Sequence, residues 1–360
     1  MSKHIRIAAS LMIACAILLG ACAPAAAPAA PAATQPPAAP AAAGNQPTAL
    51  KIAVVSTTPK EEPWNTVLLQ ALERVIATKP HGLTITYTFQ ENIATSDGTR
   101  VLGELANSGQ YGIIWGHSVY PDAIAELGPK FPNIAFVGGG SGYEPMGNNM
   151  YWVDMHVHEA AYLEGMIAGK MTKSNVIGAV AAYPYANVNE PINAYFAGAK
   201  SVNPNIKVKI NYINSWYDPA KAKEAALAEI AAGADYIYAE RFGPFEAATE
   251  KGVYAFGHYV DQNSLAPDTV VSSSLALWDP VVKAIIDAWW DKTVNGKAYA
   301  APTDKAMYFL MKDGASDIAP FHSFDSKVPQ DVKDLVAKTR ADILSGAFTV
   351  PQNADEVKPD

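Results

Sequence analysis

The chain has 360 residues, 49% of them hydrophobic and 17% charged, which is length and apolar content enough for two domains with cores of their own. Its formal net charge is −8 and no basic tract runs through it, which argues against a nucleic-acid partner, because phosphate neutralisation dominates that affinity. Both cysteines, Cys15 and Cys22, fall near the start, so the rest of the chain holds neither a disulfide framework nor a thiolate metal site.

Lys3, His4 and Arg6 precede an apolar run from Ile7 to Leu19 that is too short for an ordinary membrane span, and residues 1–21 read as a secretory signal peptide. The run ends in Leu19-Gly20-Ala21-Cys22, which looks like a bacterial lipobox. That resemblance implies cleavage before Cys22 and a diacylglycerol on its sulfur, with two or more acyl chains giving a stable membrane anchor. Residues 22–48 are then almost wholly Ala and Pro; they cannot bury a core, and their prolines favour an extended, semi-rigid tether.

From Leu50 onward strand and helix patterns alternate. An apolar run at Lys51–Ser56 is followed by helical spacing over Trp64–Thr78 (Val67, Leu68, Ala71, Leu72, Val75). A strand at Leu83–Phe89, a helix near Gly98–Ser108, a strand at Tyr111–Trp115, a helix at Pro121–Lys130 and a strand at Ile134–Gly138 come next. Tyr151–His158 looks extended and leads into a helix over Glu159–Met171. A second set begins at Val176–Ala182, with helix Glu190–Ser201, strand Lys207–Ile213, helix Pro219–Ala232, strand Tyr236–Ala239, helix Pro244–Lys251 and strand Val253–Gly257. Thr269–Ser273 is strand-like and Pro280–Lys292 helical, and the mixed remainder is expected to cross back between domains. Such β-α-β units predict two doubly wound parallel sheets.

Ligands of open α/β sheets bind at the carboxyl ends of strands, so those ends are where candidate residues are sought. Tyr212-Ile213-Asn214-Ser215-Trp216-Tyr217-Asp218-Pro219 puts two large aromatics on a strand-to-helix turn; Asp218 suits the N-cap and Pro219 the first helical position. Trp216 is either one wall of a flat ligand's pocket or rim packing. Trp64 and Asn65 stand at the end of the first strand, an indole to stack on a ring and an amide with both a donor and an acceptor; hydrophobic capping is the alternative. His117 and Ser118 follow another strand, and Tyr183, Arg241 and Asp261 close strands of the second set, Arg241 and Asp261 reading equally as salt-bridge partners. His156 and His158 share a strand face, but a metal needs three or four converging ligands and the spacing supplies no more, so no metal site is expected. Gly138-Gly139-Gly140-Ser141-Gly142 lacks the lysine of a P-loop, the spacing of a dinucleotide fingerprint and the second glycine of a nucleophile elbow.

Three segments together resemble the basic membrane protein family, the substrate-binding lipoproteins of ABC importers that include purine nucleoside receptors. These are Tyr162-Leu163-Glu164-Gly165-Met166-Ile167-Ala168-Gly169-Lys170-Met171, Ala197-Gly198-Ala199-Lys200-Ser201-Val202-Asn203-Pro204 and Asn214-Ser215-Trp216-Tyr217-Asp218-Pro219-Ala220-Lys221. In the family the purine lies between aromatics at positions matching Trp64 and Trp216, with an Asn matching Asn65. The entry here reads Glu62-Pro63-Trp64-Asn65 where the family has an acidic-Ser-Phe-Asn pattern. The acid of its Gly-x-Asp segment is displaced to Asp261, so a bare nucleobase such as adenine joins the nucleosides as an expected ligand.

The resemblance implies an α/β type I periplasmic-binding-protein fold, with two doubly wound parallel-sheet domains joined by a multi-strand hinge. The expected boundaries are 49–155 for the N-terminal domain, with part of 263–345, and 156–262 for the C-terminal domain, with part of 295–360. It further implies a monomeric receptor that closes on a purine, docks on an ABC permease, carries no cofactor and performs no catalysis. A sugar-binding protein of the same fold, or a sensor ectodomain, is the alternative.

Overall fold

A computed structural model describes residues 46–117, 120–140 and 145–360. The signal peptide, Cys22, the tether and Ser118 lie outside the described residues.

The alternating pattern folds into two six-stranded sheets of the same topology. The first holds β1 (Ala49–Val55), β2 (Thr84–Gln90), β3 (Ile113–Gly116), β4 (Ala135–Gly139), β5 (Met150–Met155) and β11 (Met307–Phe309) in the order β11-β5-β4-β3-β1-β2, all parallel. The second holds β6 (Val176–Ala181), β7 (Lys207–Tyr212), β8 (Tyr236–Ala239), β9 (Tyr254–Tyr259), β10 (Val270–Ala276) and β12 (Ser316–Ile318) in the order β12-β10-β9-β8-β6-β7, with only β12 antiparallel. Central strands such as Ile52-Ala53-Val54-Val55 are buried on both faces, which is why they read as unbroken apolar runs rather than alternating ones. In each sheet the strand order reverses beside the first strand, between β1 and β3 and between β6 and β8. These reversals are where crevices open in doubly wound folds.

Helices α1 (Pro63–Ala77), α2 (Gly98–Asn107) and α3 (Pro121–Leu127) flank the first sheet, and α4 (His158–Met171), α5 (Ala186–Val202), α6 (Pro219–Ala231) and α7 (Pro244–Lys251) the second. Helix α8 (Asp279–Thr293) returns from β10 to pack in the core with α1, and α9 (Gln330–Ser345) packs in the core with α4. The chain therefore passes between sheets after β5, after β10 and again between β11 and β12, in keeping with the expected return of its last part. Among the described residues no helix is long and apolar enough to cross a membrane.

Helix α4 is buried along almost its whole length, and its glycines explain how. A Cβ at Gly165 would sit 1.9 Å from the Tyr195 carbonyl oxygen of α5, and one at Gly198 would sit 2.0 Å from the Tyr162 carbonyl oxygen of α4. The two backbones touch where only hydrogen fits, and packed interiors tolerate no such insertion. One helix boundary differs from expectation. The helix expected over Glu190–Ser201 begins earlier, at Ala186, and carries Pro191 in its second turn.

Candidate ligand site between the sheets

The loop from β1 into α1 is tied down by its own polar groups. Glu62 caps α1 by accepting the Trp64 backbone N–H at 2.9 Å, and Pro63 takes the first helical position. Asn65 is fully buried. Its Nδ2 donates to Thr58 O, Thr58 Oγ1 and Pro59 O at 3.2, 2.9 and 2.8 Å, while its Oδ1 has no hydrogen-bond partner among the described residues. The amide expected to offer both functions thus has only its acceptor uncommitted.

Trp64 lies flat on His117, with ring centroids 4.8 Å apart and planes 5° from parallel. Its Nε1 donates to His117 O at 3.1 Å, and Trp278 meets it edge-on at 5.1 Å. From the second sheet's side Tyr259 tilts against the same indole at 5.3 Å. Tyr259 holds φ at +67°, a left-handed backbone that is uncommon for an aromatic residue and typical of positions held by their surroundings for a purpose. Burial lowers the His117 pKa to about 3, against the weaker opposing pull of its bond to Trp64 O, so the ring is neutral. Nε2 then carries the hydrogen donated to Trp64 O at 2.6 Å, and Nδ1, with no hydrogen-bond partner among the described residues, is left an acceptor.

On the second sheet Trp216 is partly buried beside Tyr183 (5.1 Å) and Tyr185 (5.9 Å), with the Arg241 guanidinium 5.6 Å from its ring centroid. Arg241 is buried and engaged on every side. Nε and Nη2 reach the two Glu240 oxygens at 2.9 and 2.6 Å, and Nη1 donates to Trp216 O at 2.9 Å and to Glu62 Oε1 at 3.4 Å. A chain of bonds therefore runs from the Trp64 N–H through Glu62 and Arg241 to the Trp216 carbonyl, joining the two sheets' strand ends.

Of the candidates read from the sequence, Trp64, Asn65, His117, Tyr183, Trp216 and Arg241 lie along this line. Asp261 does not belong to it: its carboxylate pairs with His322 at 2.7 Å on the exposed side. Glu62, Glu240, Tyr259 and Trp278 were missed by the sequence reading. The Glu240-Arg241 adjacency was a visible signal for one of them, whereas nothing in sequence ties Glu62 to a residue 179 positions away.

Burial pushes the Glu62 carboxyl from 4.5 up to about 7, with Arg241 pulling it down and Glu240 pushing it up by less. The folded state therefore holds this proton more tightly than the unfolded chain does. The contribution to stability is complete below pH 4.5 and is lost as pH rises through 7. It amounts to roughly 3 kcal/mol. Glu62→Gln is expected to remove this slope, so urea midpoints at pH 5 and 7.5 should lie closer together in the variant than in the parent. An unchanged difference would place the titrating group elsewhere.

Two like-built parallel α/β sheets, joined by repeated crossings and meeting at their strand ends around aromatic walls, define a solute-binding protein of the type I fold. A solved ABC transporter solute-binding protein from Conexibacter woesei superposes with a TM-score of 0.67 over 85% of this chain and 100% of that one, at 19% identity. The profile of the Bmp family, described as ABC transporter substrate-binding protein PnrA-like, matches residues 50–343, and the chain belongs to that family. It is 33% identical over 274 residues to a purine-binding protein of Brucella abortus, covering 73% of each chain. It is also 29% identical over 269 residues to a putative ABC transporter glucose-binding protein of Haloferax volcanii, covering 73% of this chain and 64% of that one.

Proposed function

We propose that this ABC transporter substrate-binding protein takes a purine nucleobase or nucleoside between Trp64 and Trp216. Closure of two domains, with boundaries near 49–155 and 156–262, buries the ligand by hinge motion. What supports the reading most is the chain of hydrogen bonds that links the Trp64 and Trp216 backbones through Glu62 and Arg241, with two buried acceptors, Asn65 Oδ1 and His117 Nδ1, that have no hydrogen-bond partner among the described residues. Two acceptors suit the amino group and ring N–H of a purine, and stacking contributes roughly 1–3 kcal/mol per base. Two faces with edge hydrogen bonds bring affinity near micromolar, about −8 kcal/mol. With Arg241 already satisfied by two carboxylates, a phosphate would meet more negative charge than positive, which favours base or nucleoside over nucleotide.

The protein releases its ligand unchanged to a membrane permease from outside the cytoplasm, as a monomer held at the cell membrane through acylated Cys22. The Brucella relative favours purine; the Haloferax relative favours the second reading, a sugar stacked on the same rings. A thermal-shift panel separates them. Adenine or guanosine should raise the melting temperature while glucose and ribose leave it unmoved; the reverse pattern would replace the purine with a sugar.

A further inference from the structure

A second polar cluster sits apart from the indoles, where the chain first crosses between sheets. Asp154 ends β5, His156 lies in the crossing, His158 opens α4, and Glu190 comes from α5. His156 Nδ1 is 2.7 Å from Glu190 Oε2, and His158 Nδ1 is 3.2 Å from Glu190 Oε1. The three potential ligand atoms lie within 4.8 Å of one another. The exposures of His156, His158 and Glu190 are 8%, 2% and 7%. We propose that these three side chains form a site for a divalent transition metal of the kind zinc exemplifies.

The first support is unmet hydrogen bonding. His158 Nδ1, Glu190 Oε1, His156 Nε2 and Asp154 Oδ1 are all buried without a hydrogen-bond partner among the described residues. Each such atom costs about 1–3 kcal/mol, and interiors seldom leave them grouped. A cation between the imidazoles and the carboxylate satisfies His158 Nδ1 and Glu190 Oε1 together. The second is the donor set: two imidazoles and one carboxylate suit zinc and its first-row neighbours, and leave a further coordination position. The third is the surrounding shell. Asp154 Oδ2 stands 3.3 Å from His156 Nε2, placed to hold the hydrogen there and turn the Nδ1 lone pair toward Glu190. The Tyr308 ring covers His156 at 4.3 Å.

The competing occupant is a proton. Burial opposes charge on His156, but the adjacent Asp154 and Glu190 carboxylates outweigh burial and push its pKa up to about 9. A proton there satisfies His156 Nδ1 and Glu190 Oε2 while leaving His158 Nδ1 and Glu190 Oε1 unpaired. A metal engages both histidines and the carboxylate at once.

The tag-free chain, dialysed against EDTA and equilibrated with zinc sulfate, should retain one equivalent per chain by atomic emission. Cobalt(II) in its place should give the visible absorption of a low-coordinate site. His158→Ala and Glu190→Gln should each weaken retention at least 100-fold, with His158→Gln as a second variant should either fail to fold by circular dichroism. Asp154→Asn, which removes only a positioning contact, should weaken it about 10- to 100-fold. His81→Asn, at the surface pair with Asp287, should leave it unchanged. A parent chain that keeps no zinc, or His158→Ala and Glu190→Gln chains that retain it as well as the parent, overturns the site and leaves a protonated ion cluster, with no bearing on the purine reading.

Discussion

Arg241→Met is expected to destabilise the chain by about 3–5 kcal/mol at pH 7.5, the usual consequence of removing one partner from a buried ion pair. The guanidinium touches five acceptors: both Glu240 carboxylate oxygens, the Glu240 backbone carbonyl, Glu62 Oε1 and Trp216 O. Met fills similar volume but offers none of their hydrogen bonds. Two buried carboxylates are then left without the guanidinium that pairs with both, and burial already raises the pKa of both. At pH 5 the Glu62 carboxyl, with its pKa near 7, is protonated and the penalty shrinks, so the loss should be smaller there. Urea unfolding of parent and variant at the two pH values reads both numbers. A loss under 1 kcal/mol at pH 7.5 would mean that the carboxylates find water or another cation, and that the bridge does not hold the sheets' strand ends together. The Glu62–Arg241 contact, at 3.4 Å, is the longest of the set.

The sequence conveyed the architecture because parallel strands buried on both faces leave unmistakable apolar runs, and because helix starts carry their own chemistry. Asp218 and Pro219 were read as an N-cap and a first helical residue, and Asp218 Oδ1 does accept the Lys221 N–H at 3.0 Å. The start of α5 was placed at Glu190, four residues late, and the Pro191 inside the helix shows why such starts are hard to place: a proline inside a helix and one opening it look alike until the tertiary packing is known. The short strands β11 and β12, three residues each, have too little length to show a period. At the site, residues on strand ends were legible because topology alone brings those ends together. What hid was everything made by pairs distant in sequence. Glu62 meeting Arg241, Tyr259 leaning on Trp64, and Glu190 reaching His156 from the next helix have no local pattern. The two histidines had no partners by spacing; the fold brings the Glu190 and Asp154 carboxylates to them.

Trp216→Ala is expected to weaken purine binding at least tenfold while leaving the fold intact. Its indole is partly buried among Tyr183, Tyr185 and Arg241, at the edge of its core rather than within it. Removal therefore deletes one stacking face, about 1–3 kcal/mol, without opening a large cavity. Trp64→Ala should lose as much affinity and be less stable as well. That ring lies on His117, meets Trp278 and Tyr259, and donates to His117 O, so its truncation costs about 3 kcal/mol of packing. The two variants thus separate a ring at the edge of its core from one that also holds the core. Calorimetric titration with adenine and guanosine, alongside urea unfolding, distinguishes the two losses. A folded Trp216→Ala chain that binds purine as tightly as the parent would mean that the ligand does not lie against this ring. The stacking partner of Trp64 would then have to be sought in Tyr259, which already rests on that indole from the opposite sheet.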